Sequence, residues 1–522
     1  MTQEASVSSE RRLWSAASPR TVSADAIIGT VLVTLICAAT ASYSGAAHWS
    51  LVALGLCGAL EAPTILRWLR GKCDPFDPKA LATLLIFHNT FVAPLLHLVW
   101  DWYTPLIRVP ADPAAWFGKL ALLNVASLLC LEAAYRAATA RPPRPRPLRP
   151  ASRERLLTAL GVSAVMAFIA KIYFLRHMGG IIQMISAYET RDASFAGTGW
   201  ILMLAWPFFL LVLLGCVTVK YSGPHARRPS LVTVVTLLTL FAMGHFAWDG
   251  LRGSRLSTLG GVFIAAAFCH LLVRRLRMSL VLAGVIATVA FSFTYNFYKG
   301  AGRAGVADAF SSTSGFISVQ QQTGRNFGWL LLGDLARADI QMEILSTIYE
   351  GNPDYELKLG GTYVGAAVFI PRSIWPTRPR GPQEAYAELQ NGSIAVREGE
   401  IPNSRVFGLP GETLLNFGWL GVPFAYALFG LLLGTFRNAV ERLEPGDGRL
   451  LLVPPALWLL LNLYILDLSE VVHMFFQDAA LLMACASYSL WRGRPRPLGA
   501  ASLRRPLPFI SNSALPCMQK SR

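Results

Sequence analysis

Charged residues are scarce in this chain. Lys, Arg, Asp and Glu together make up only 15% of its 522 residues, whereas hydrophobic residues make up 53%. An ordinary soluble domain carries about 25% charged residues, and a disordered scaffold needs few apolar residues and a high charge density. The composition therefore excludes both classes and indicates a membrane protein.

Several motifs of soluble enzymes are also missing. The sequence has no Walker loop and no dinucleotide-binding fingerprint, which argues against an ATP-driven transporter in one chain. No pair of its 8 cysteines has the spacing of zinc ligands. All of them fall in predicted spans or predicted cytoplasmic segments, so no disulfide framework is expected. The sequence therefore predicts no cofactor and no metal site.

Long apolar runs occupy most of the chain. A helix that crosses a bilayer needs about 20 mostly apolar residues. Twelve such runs are present, at residues 26–43, 46–64, 80–100, 115–137, 156–176, 199–219, 230–247, 257–273, 279–297, 413–435, 450–467 and 471–490. The predicted fold is therefore an all-α polytopic membrane protein with about 12 transmembrane helices.

The Lys and Arg residues between these runs alternate from side to side. If the N-terminus is cytoplasmic, 29 of them fall in cytoplasmic segments and 4 in short outer loops. Because positive charge marks cytoplasmic loops, both termini are predicted to be cytoplasmic. The predicted parts are a cytoplasmic tail (1–25), helices 1–9 (26–297), one large extracytoplasmic loop (298–412), helices 10–12 (413–490) and a basic cytoplasmic tail (491–522).

One further apolar stretch carries too many charges to cross a membrane. Residues 327–349 include Asp334, Arg337, Asp339 and Glu343, and each charge would cost a few kcal/mol in a bilayer. The pattern predicts an amphipathic helix that lies on or beside the membrane. Arg337 and Asp339 are candidate functional residues there, and an ordinary salt-bridged helix face is the alternative.

Arginines gather in two segments that are predicted to lie outside. Arg252 and Arg255 belong to a short turn and would point the same way on a helical turn. Arg372 and Arg378 flank Trp375 in a segment that prolines stiffen. Guanidinium groups bind phosphate oxygens bidentately, so both segments are candidate anion sites. The alternatives are snorkelling to lipid headgroups for the first and a rigid structural loop for the second.

Two carboxylates are candidate general bases. Glu412 lies at the mouth of the tenth predicted span, where partial desolvation would raise its pKa; a charge favoured by a helix N-terminus is the alternative. Asp249, beside the arginine turn, is the second candidate. The last predicted span also carries polar residues that favour either helix-to-helix contacts or a proton relay: Glu470, His473, Gln477 and Asp478.

Weak motifs follow one another in a recognisable order. They are Asp74-Pro75-Phe76-Asp77-Pro78, Pro94-Leu95, the Gly179-Gly180-Ile181 turn with Arg191, the turn 252–255, the pair Arg337 and Asp339, the Gly360-Gly361-Thr362-Tyr363 turn, the loop 371–379 and the entry 411–421. With these motifs, residues 70–435 resemble the bacterial oligosaccharide repeat unit polymerases, the Wzy-like O-antigen polymerase family.

The resemblance implies a glycosyltransferase at the outer face of the bacterial plasma membrane, which joins undecaprenyl-diphosphate-linked repeat units. It implies that arginines rather than a metal stabilise the diphosphate leaving group, and that Glu412 or Asp249 accepts the proton of the acceptor hydroxyl. The expected diphosphate ligands are Arg252, Arg255, Arg372 and Arg378. The expected sugar ligands are Trp375, Arg405, Arg337 and Asp339.

The expected partners are a lipid-linked oligosaccharide and membrane lipid, with a flippase and a chain-length regulator as candidate protein partners and no nucleic acid. A transporter of polysaccharide or lipid-linked sugar is the main alternative function. It would carry midplane charges and broken, repeated helices, whereas the charges here gather toward the predicted outer face. An O-antigen ligase-type or a polyprenyl-phosphate-sugar-dependent transferase is a further alternative.

Overall fold

The structure is a computed structural model of the chain. It describes residues 19–44, 48–104, 107–141, 146–189, 198–221, 229–252, 255–350, 359–365, 367, 370, 374–379, 381–382, 386, 406–444 and 446–491. Within these ranges the regular elements are helices and no strand occurs. Eleven helices of this part are long and apolar enough to cross a membrane. The chain is therefore an all-helical, multi-pass membrane protein.

The described helices are numbered in chain order. They are α1 (Pro19–Ser44), α2 (Ser50–Leu69), α3 (Pro78–Trp100), α4 (Pro113–Thr139), α5 (Arg153–His177), α6 (Ile181–Glu189), α7 (Gly199–Tyr221), α8 (Leu231–Asp249), α9 (Arg255–Val273), α10 (Met278–Ser311), α11 (Thr313–Thr323), α12 (Trp329–Asp334), α13 (Ala338–Tyr349), α14 (Gly361–Gly365), α15 (Gly408–Phe417), α16 (Gly421–Glu441), α17 (Gly448–Ile465) and α18 (Leu468–Leu490). The eleven spans are α1–α5, α7–α10, α17 and α18.

Local capping fixes where several spans begin. The Asp77 carboxylate accepts the backbone N–H of Ala80 and precedes Pro78, the first residue of α3. Asp112 and Pro113 start α4 in the same way. A side-chain acceptor satisfies one unpaired N–H of the first turn, and proline is well suited to the first helical position. The apolar runs therefore start as helices at defined residues.

The tenth predicted span is not a single helix. Residues 413–435 fall on α15 and α16, which are separated by a turn at Gly418 with φ 68° and ψ −166°. Helix α16 packs closely against α4, because a Cβ atom at Gly430 would come within 2.3 Å of the Leu131 carbonyl oxygen. Its polar end, including Arg437 and Asn438, makes it less apolar than the spans. The tenth predicted span is therefore a broken segment, beside eleven described helices that are long and apolar enough to cross a membrane.

Helix α10 is longer than the sequence predicts. The predicted span ended at residue 297, but α10 continues to Ser311, with a non-helical residue at Gly302 (φ 64°). Ser312 then caps α11 by accepting the backbone N–H of Gly315 (3.0 Å). The beginning of the predicted large loop is therefore a helical extension of a span.

Side-chain contacts identify one end of the bundle, called here the tail end. Asp25 of α1 pairs with Arg70 and Lys72, which follow α2. Asp74 accepts a hydrogen bond from Nε2 of His270 in α9 (3.0 Å). The opposite end, called the loop end, carries the α3–α4, α8–α9 and α17–α18 connections. The contacts at the tail end therefore join spans that are far apart in the chain, such as α3 and α9, through the residues beside their ends.

Helix α13 enters the bundle instead of lying on the membrane surface. Nε2 of His88, half-way along α3, donates to the Leu331 carbonyl oxygen (3.0 Å), and the neighbouring Asn89 carboxamide accepts the backbone N–H of Arg337 (2.8 Å). Nine consecutive residues of α13, Ala338–Ser346, are buried. The helix therefore lies against protein rather than with one face to lipid: α12 and α13, called here the re-entrant segment, pack into the loop end, and Ala336 and Arg337 are buried in the turn between them whereas Leu335 is exposed.

Candidate functional site

Arg255 forms an ion pair inside the loop end. Its Nη2 atom lies 2.5 Å from Oδ1 of Asp334 in the re-entrant segment, and its Nη1 donates to Oδ1 of Asn296 (2.9 Å). Arg325 approaches the same Asn296 oxygen (3.5 Å). Burial opposes ionisation of Asp334, but Arg255, together with the charges of Lys299 and Arg325, keeps its pKa below the ordinary value. This cluster is a cationic site that already holds one carboxylate.

The turn before Arg255 is fixed by two tyrosines of α10. The Tyr295 hydroxyl donates to the Gly250 carbonyl oxygen (2.6 Å), and the Tyr298 hydroxyl donates to that of Leu251 (2.7 Å). Asp249, at the end of α8, accepts a hydrogen bond from the Ser257 hydroxyl (2.9 Å). The second candidate base is thus buried beside the cationic cluster and is already hydrogen-bonded.

The turn between α12 and α13 joins this cluster to a second group of charges. Nη1 of Arg337 donates to the carbonyl oxygens of Asp334 (2.9 Å) and Ala336 (2.6 Å). The Asp334 side chain faces Arg255, whereas the Arg337 charge acts on Asp467, between α17 and α18. One short turn therefore contacts the Arg255 cluster directly and acts on Asp467 through the charge of Arg337.

Acidic residues of α13 attach it to neighbouring segments. Oδ2 of Asp339 accepts a hydrogen bond from the Thr104 hydroxyl (2.7 Å). Glu343 accepts the backbone N–H of Arg108 (3.0 Å) and the hydroxyl of Tyr386. These bonds position the re-entrant segment. Asp339, a predicted sugar ligand, is buried and already holds a hydrogen bond to another segment.

Two buried carboxylates meet where α15 faces the α17–α18 turn. Oε2 of Glu412 accepts the backbone N–H of Leu468 (2.8 Å), while its Oε1 is buried without a hydrogen bond. Asp467, the residue before Leu468, is 0% exposed, and neither of its carboxylate oxygens receives a well-formed hydrogen bond. Burial of such groups without full compensation is costly, so the arrangement is a candidate functional site.

The electrostatics of this pair favour bound protons. Burial and then the charge of Asp467 raise the pKa of Glu412 to about 8. Burial and then the charge of Glu470 raise the pKa of Asp467 to about 7, although the backbone N–H groups of Asp467 and Glu470, and then the charge of Arg337, act in the opposite direction. Groups whose pKa lies near neutral pH suit general acid–base chemistry. The pair can therefore exchange protons at neutral pH.

Two of the polar residues of the last span, Gln477 and Asp478, lie away from the Glu412 and Asp467 pair. Asp478 accepts hydrogen bonds from Nε1 of Trp458 (2.7 Å) and Nε2 of Gln477 (2.8 Å). All three side chains are buried between α17 and α18, in a short stretch of π-helix that includes Gln477 and Asp478. Glu470 is instead close enough to the Glu412 site to affect Asp467.

The remaining predicted ligands are not joined to this site by a described contact. Nη1 of Arg378 donates to the carbonyl oxygens of Ala367 (3.4 Å) and Ile370 (3.0 Å), in its own segment. Trp375 is partly exposed in the same segment. Arg372, Arg405 and the side chain of Arg252 lie outside the described residues. In the described part, no group of three or more His, Cys, Asp or Glu side chains could hold a metal ion.

Sequence reasoning missed several members of the site. In the sequence, Asp467 is the last residue of a predicted span, and Asn296 lies within another predicted span. Asp334 is one of the charges of the predicted amphipathic helix. The signal for Asp467 was available, because a carboxylate between two apolar runs must be accommodated at a membrane boundary. A comparison of the chain with protein-family models, curated proteins and solved structures gives no match.

Proposed function

We propose that this protein is a polymerase that joins undecaprenyl-diphosphate-linked oligosaccharide repeat units at the outer face of the bacterial plasma membrane. The loop end would then face outward, and the product would be a surface polysaccharide. The supporting observation is that one turn, residues 334–337, contacts the cationic cluster around Arg255 through Asp334 and acts through the charge of Arg337 on Asp467, the neighbour of the residue that Glu412 binds.

The two groups suit the two halves of glycosyl transfer. The leaving diphosphate gains negative charge as its bond to the anomeric carbon breaks, and preorganised guanidinium groups stabilise that charge. The acceptor hydroxyl must lose its proton, which needs a base within hydrogen-bond reach. In this proposal Arg255, with Arg252, Arg372 and Arg378 as further ligands, binds the diphosphate. The carboxylate pair takes the proton, and Asp249 is the alternative base.

A direct test uses the purified full-length protein in lipid vesicles with a lipid-linked oligosaccharide. We expect a ladder of products that differ by one repeat unit, and we expect it to persist in the presence of a chelator. A single transfer without a ladder would favour the ligase-type or polyprenyl-phosphate-sugar-dependent alternative. Loss of activity with chelator and its return with a divalent metal would contradict the role of the arginines.

Topology is tested separately with reporter fusions. A reporter fused within 350–400 is expected outside the cell, and reporters at 145 or 500 inside, because of the charge asymmetry of the loops. A cytoplasmic signal from 350–400 would place the site on the wrong face for this reaction.

A transporter of lipid-linked sugar is the second candidate, and one observation favours it. Re-entrant segments and buried protonatable residues are features of secondary transporters, and α12–α13 together with Glu412 and Asp467 have both. Movement of the lipid-linked oligosaccharide across vesicles without any covalent product would support this alternative and contradict the polymerase.

A further inference from the structure

The carboxylate of Asp467 has an unusual position in its helix. It occupies the N-cap position of the first part of α18, where an aspartate side chain ordinarily accepts a backbone N–H of the first turn. Here it makes no well-formed capping bond, although the backbone N–H of Glu470, the third helical residue, lies near enough to lower its pKa. The backbone N–H of Leu468, the first helical residue, donates to Glu412 from α15 (2.8 Å). This bond places the Glu412 carboxylate beside the residue that follows Asp467.

Three carboxylate oxygens are buried without a well-formed hydrogen bond: Oε1 of Glu412 and both oxygens of Asp467. Two neighbouring buried carboxylates cannot both be ionised at acceptable cost, so the pair retains a proton and titrates as a unit. The remaining unpaired oxygens are acceptors, and they suit a ligand that brings hydroxyl donors. A saccharide is such a ligand.

On the basis of the proposed function, we propose that Asp467 and Glu412 share one proton and together form the group that deprotonates the acceptor sugar hydroxyl. The ionised oxygen of the pair accepts the hydroxyl proton while the hydroxyl oxygen bonds to the anomeric carbon of the donor. The bond from that carbon to the diphosphate breaks, and its electron pair leaves with the diphosphate. The doubly protonated pair then returns one proton to water.

The surroundings of the pair are consistent with this role. The ionisable groups whose charges interact with it are Arg337 from the re-entrant segment, Glu470 from α18 and Tyr363 from α14. Glu412 raises the pKa of Tyr363 to about 12 after the larger effect of burial, so this phenol stays neutral. Arg337 is the cation among them, and it favours retaining one negative charge on the pair.

The shared proton is tested without any assay of activity. Infrared spectra of the full-length protein in lipid are recorded across pH, and the C=O band of a protonated buried carboxyl is followed. We expect this band in the wild type at neutral pH and its loss as the pH rises past about 8. Glu412→Gln should remove the titration near pH 8. Asp467→Asn should move its midpoint down by about one pH unit or more, the coupling expected of interacting sites.

Asp447→Asn is the matched control, because Asp447 is a buried carboxylate at the tail end that pairs with Arg449 (2.5 Å). It should leave the midpoint unchanged. The absence of the band in the wild type, or an unchanged midpoint in Asp467→Asn, would overturn the shared proton.

The pH profile of chain growth tests the second half of the proposal. In Asp467→Asn the acidic limb should move to lower pH by the same amount as the infrared midpoint. A limb that stays in place would overturn the role of the pair in deprotonation. If the infrared result holds but no oligosaccharide is elongated at any pH, the proposed function fails while the shared proton stands.

Discussion

The two ends of the bundle differ in whether their buried carboxylates have hydrogen-bond or salt-bridge partners. At the tail end they are paired: Asp25 with Arg70 and Lys72, Asp74 with His270, and Asp447 with Arg449. At the loop end, carboxylate oxygens of Glu412 and Asp467 are buried without a well-formed hydrogen bond or a salt bridge. Among the described residues, buried carboxylate oxygens of this kind occur only there.

In our proposal, the paired carboxylates hold helices together, whereas the carboxylates without a well-formed hydrogen bond bind the substrate. A paired buried carboxylate has recovered part of its desolvation cost from its partner, and removing that partner destabilises the fold. An unpaired one leaves the cost uncompensated, so it persists where function requires it. Substitutions at the tail end should therefore affect stability, whereas substitutions at the loop end should affect activity.

Glu412→Gln should have the largest effect. It removes a base while keeping the size of the side chain, so we expect chain growth to fall by roughly 100- to 10,000-fold. Measurement of product ladders with purified protein tests this. Glu444→Gln, a half-buried carboxylate at the tail end, is the control and should be active. A Glu412→Gln variant with normal chain growth would contradict the assignment.

His270→Ala should act on stability instead. It leaves Asp74 buried without its partner, which typically costs about 3–5 kcal/mol. Although burial opposes ionisation, His270 keeps the pKa of Asp74 below its ordinary value. The contact of His270 with the Asp74 carboxylate thus contributes stability above the ordinary Asp range, and this contribution is lost as pH falls through the lowered pKa of Asp74.

Thermal unfolding in detergent, measured from neutral to acidic pH, tests this prediction. The deficit of His270→Ala should be greatest at neutral pH and should shrink on acidification. His177→Ala, at an exposed position of α5, is the control. An equal deficit at every pH would show that Asp74 is not the group concerned.

Arg255→Ala should reduce chain growth by roughly 100- to 1,000-fold, the usual effect of losing one donor to a developing charge. Arg255→Lys should restore only part of the activity, because an ammonium group lacks the planar bidentate geometry. Polymer length in cells is the measurement. Arg70→Ala is the control, since Lys72 still pairs with Asp25. Normal polymer length in Arg255→Lys would indicate that Arg255 contacts lipid headgroups instead of the diphosphate.

Thr104→Val should have the smallest effect. It removes the hydrogen bond to Asp339 (2.7 Å), and such a loss typically costs about 0.5–1.5 kcal/mol. Thermal unfolding of the purified variant measures it, with the exposed Thr435→Val as control. A loss of activity at unchanged stability would instead assign Thr104 to the site.

Hydropathy alone locates the eleven spans, because about 20 apolar residues in a row have few alternatives to crossing a bilayer. It fails at residues 327–349 because the same charges suit either a membrane surface or a protein interior. Only partners distant in sequence decide between the two, such as Asn89 for Arg337 and Thr104 for Asp339.

For the candidate site, the sequence predicts some of the residues but not their partners. Arg255 and Glu412 are recognisable as unusual residues at span ends. Their partners are not, since the ion pair of Arg255 with Asp334 and the contact of Glu412 with Leu468 join segments that are far apart in the chain. Periodicity carries no information about such pairings.

The burial of α13 also constrains how the protein is made. Its segment carries Asp334, Arg337, Asp339 and Glu343, so release into lipid on leaving the ribosome would cost a few kcal/mol for each charge. The bonds that compensate this cost come partly from a later residue, because Glu343 accepts the hydroxyl of Tyr386. The contacts that hold the charges of this segment are therefore complete only after Tyr386 has been synthesised.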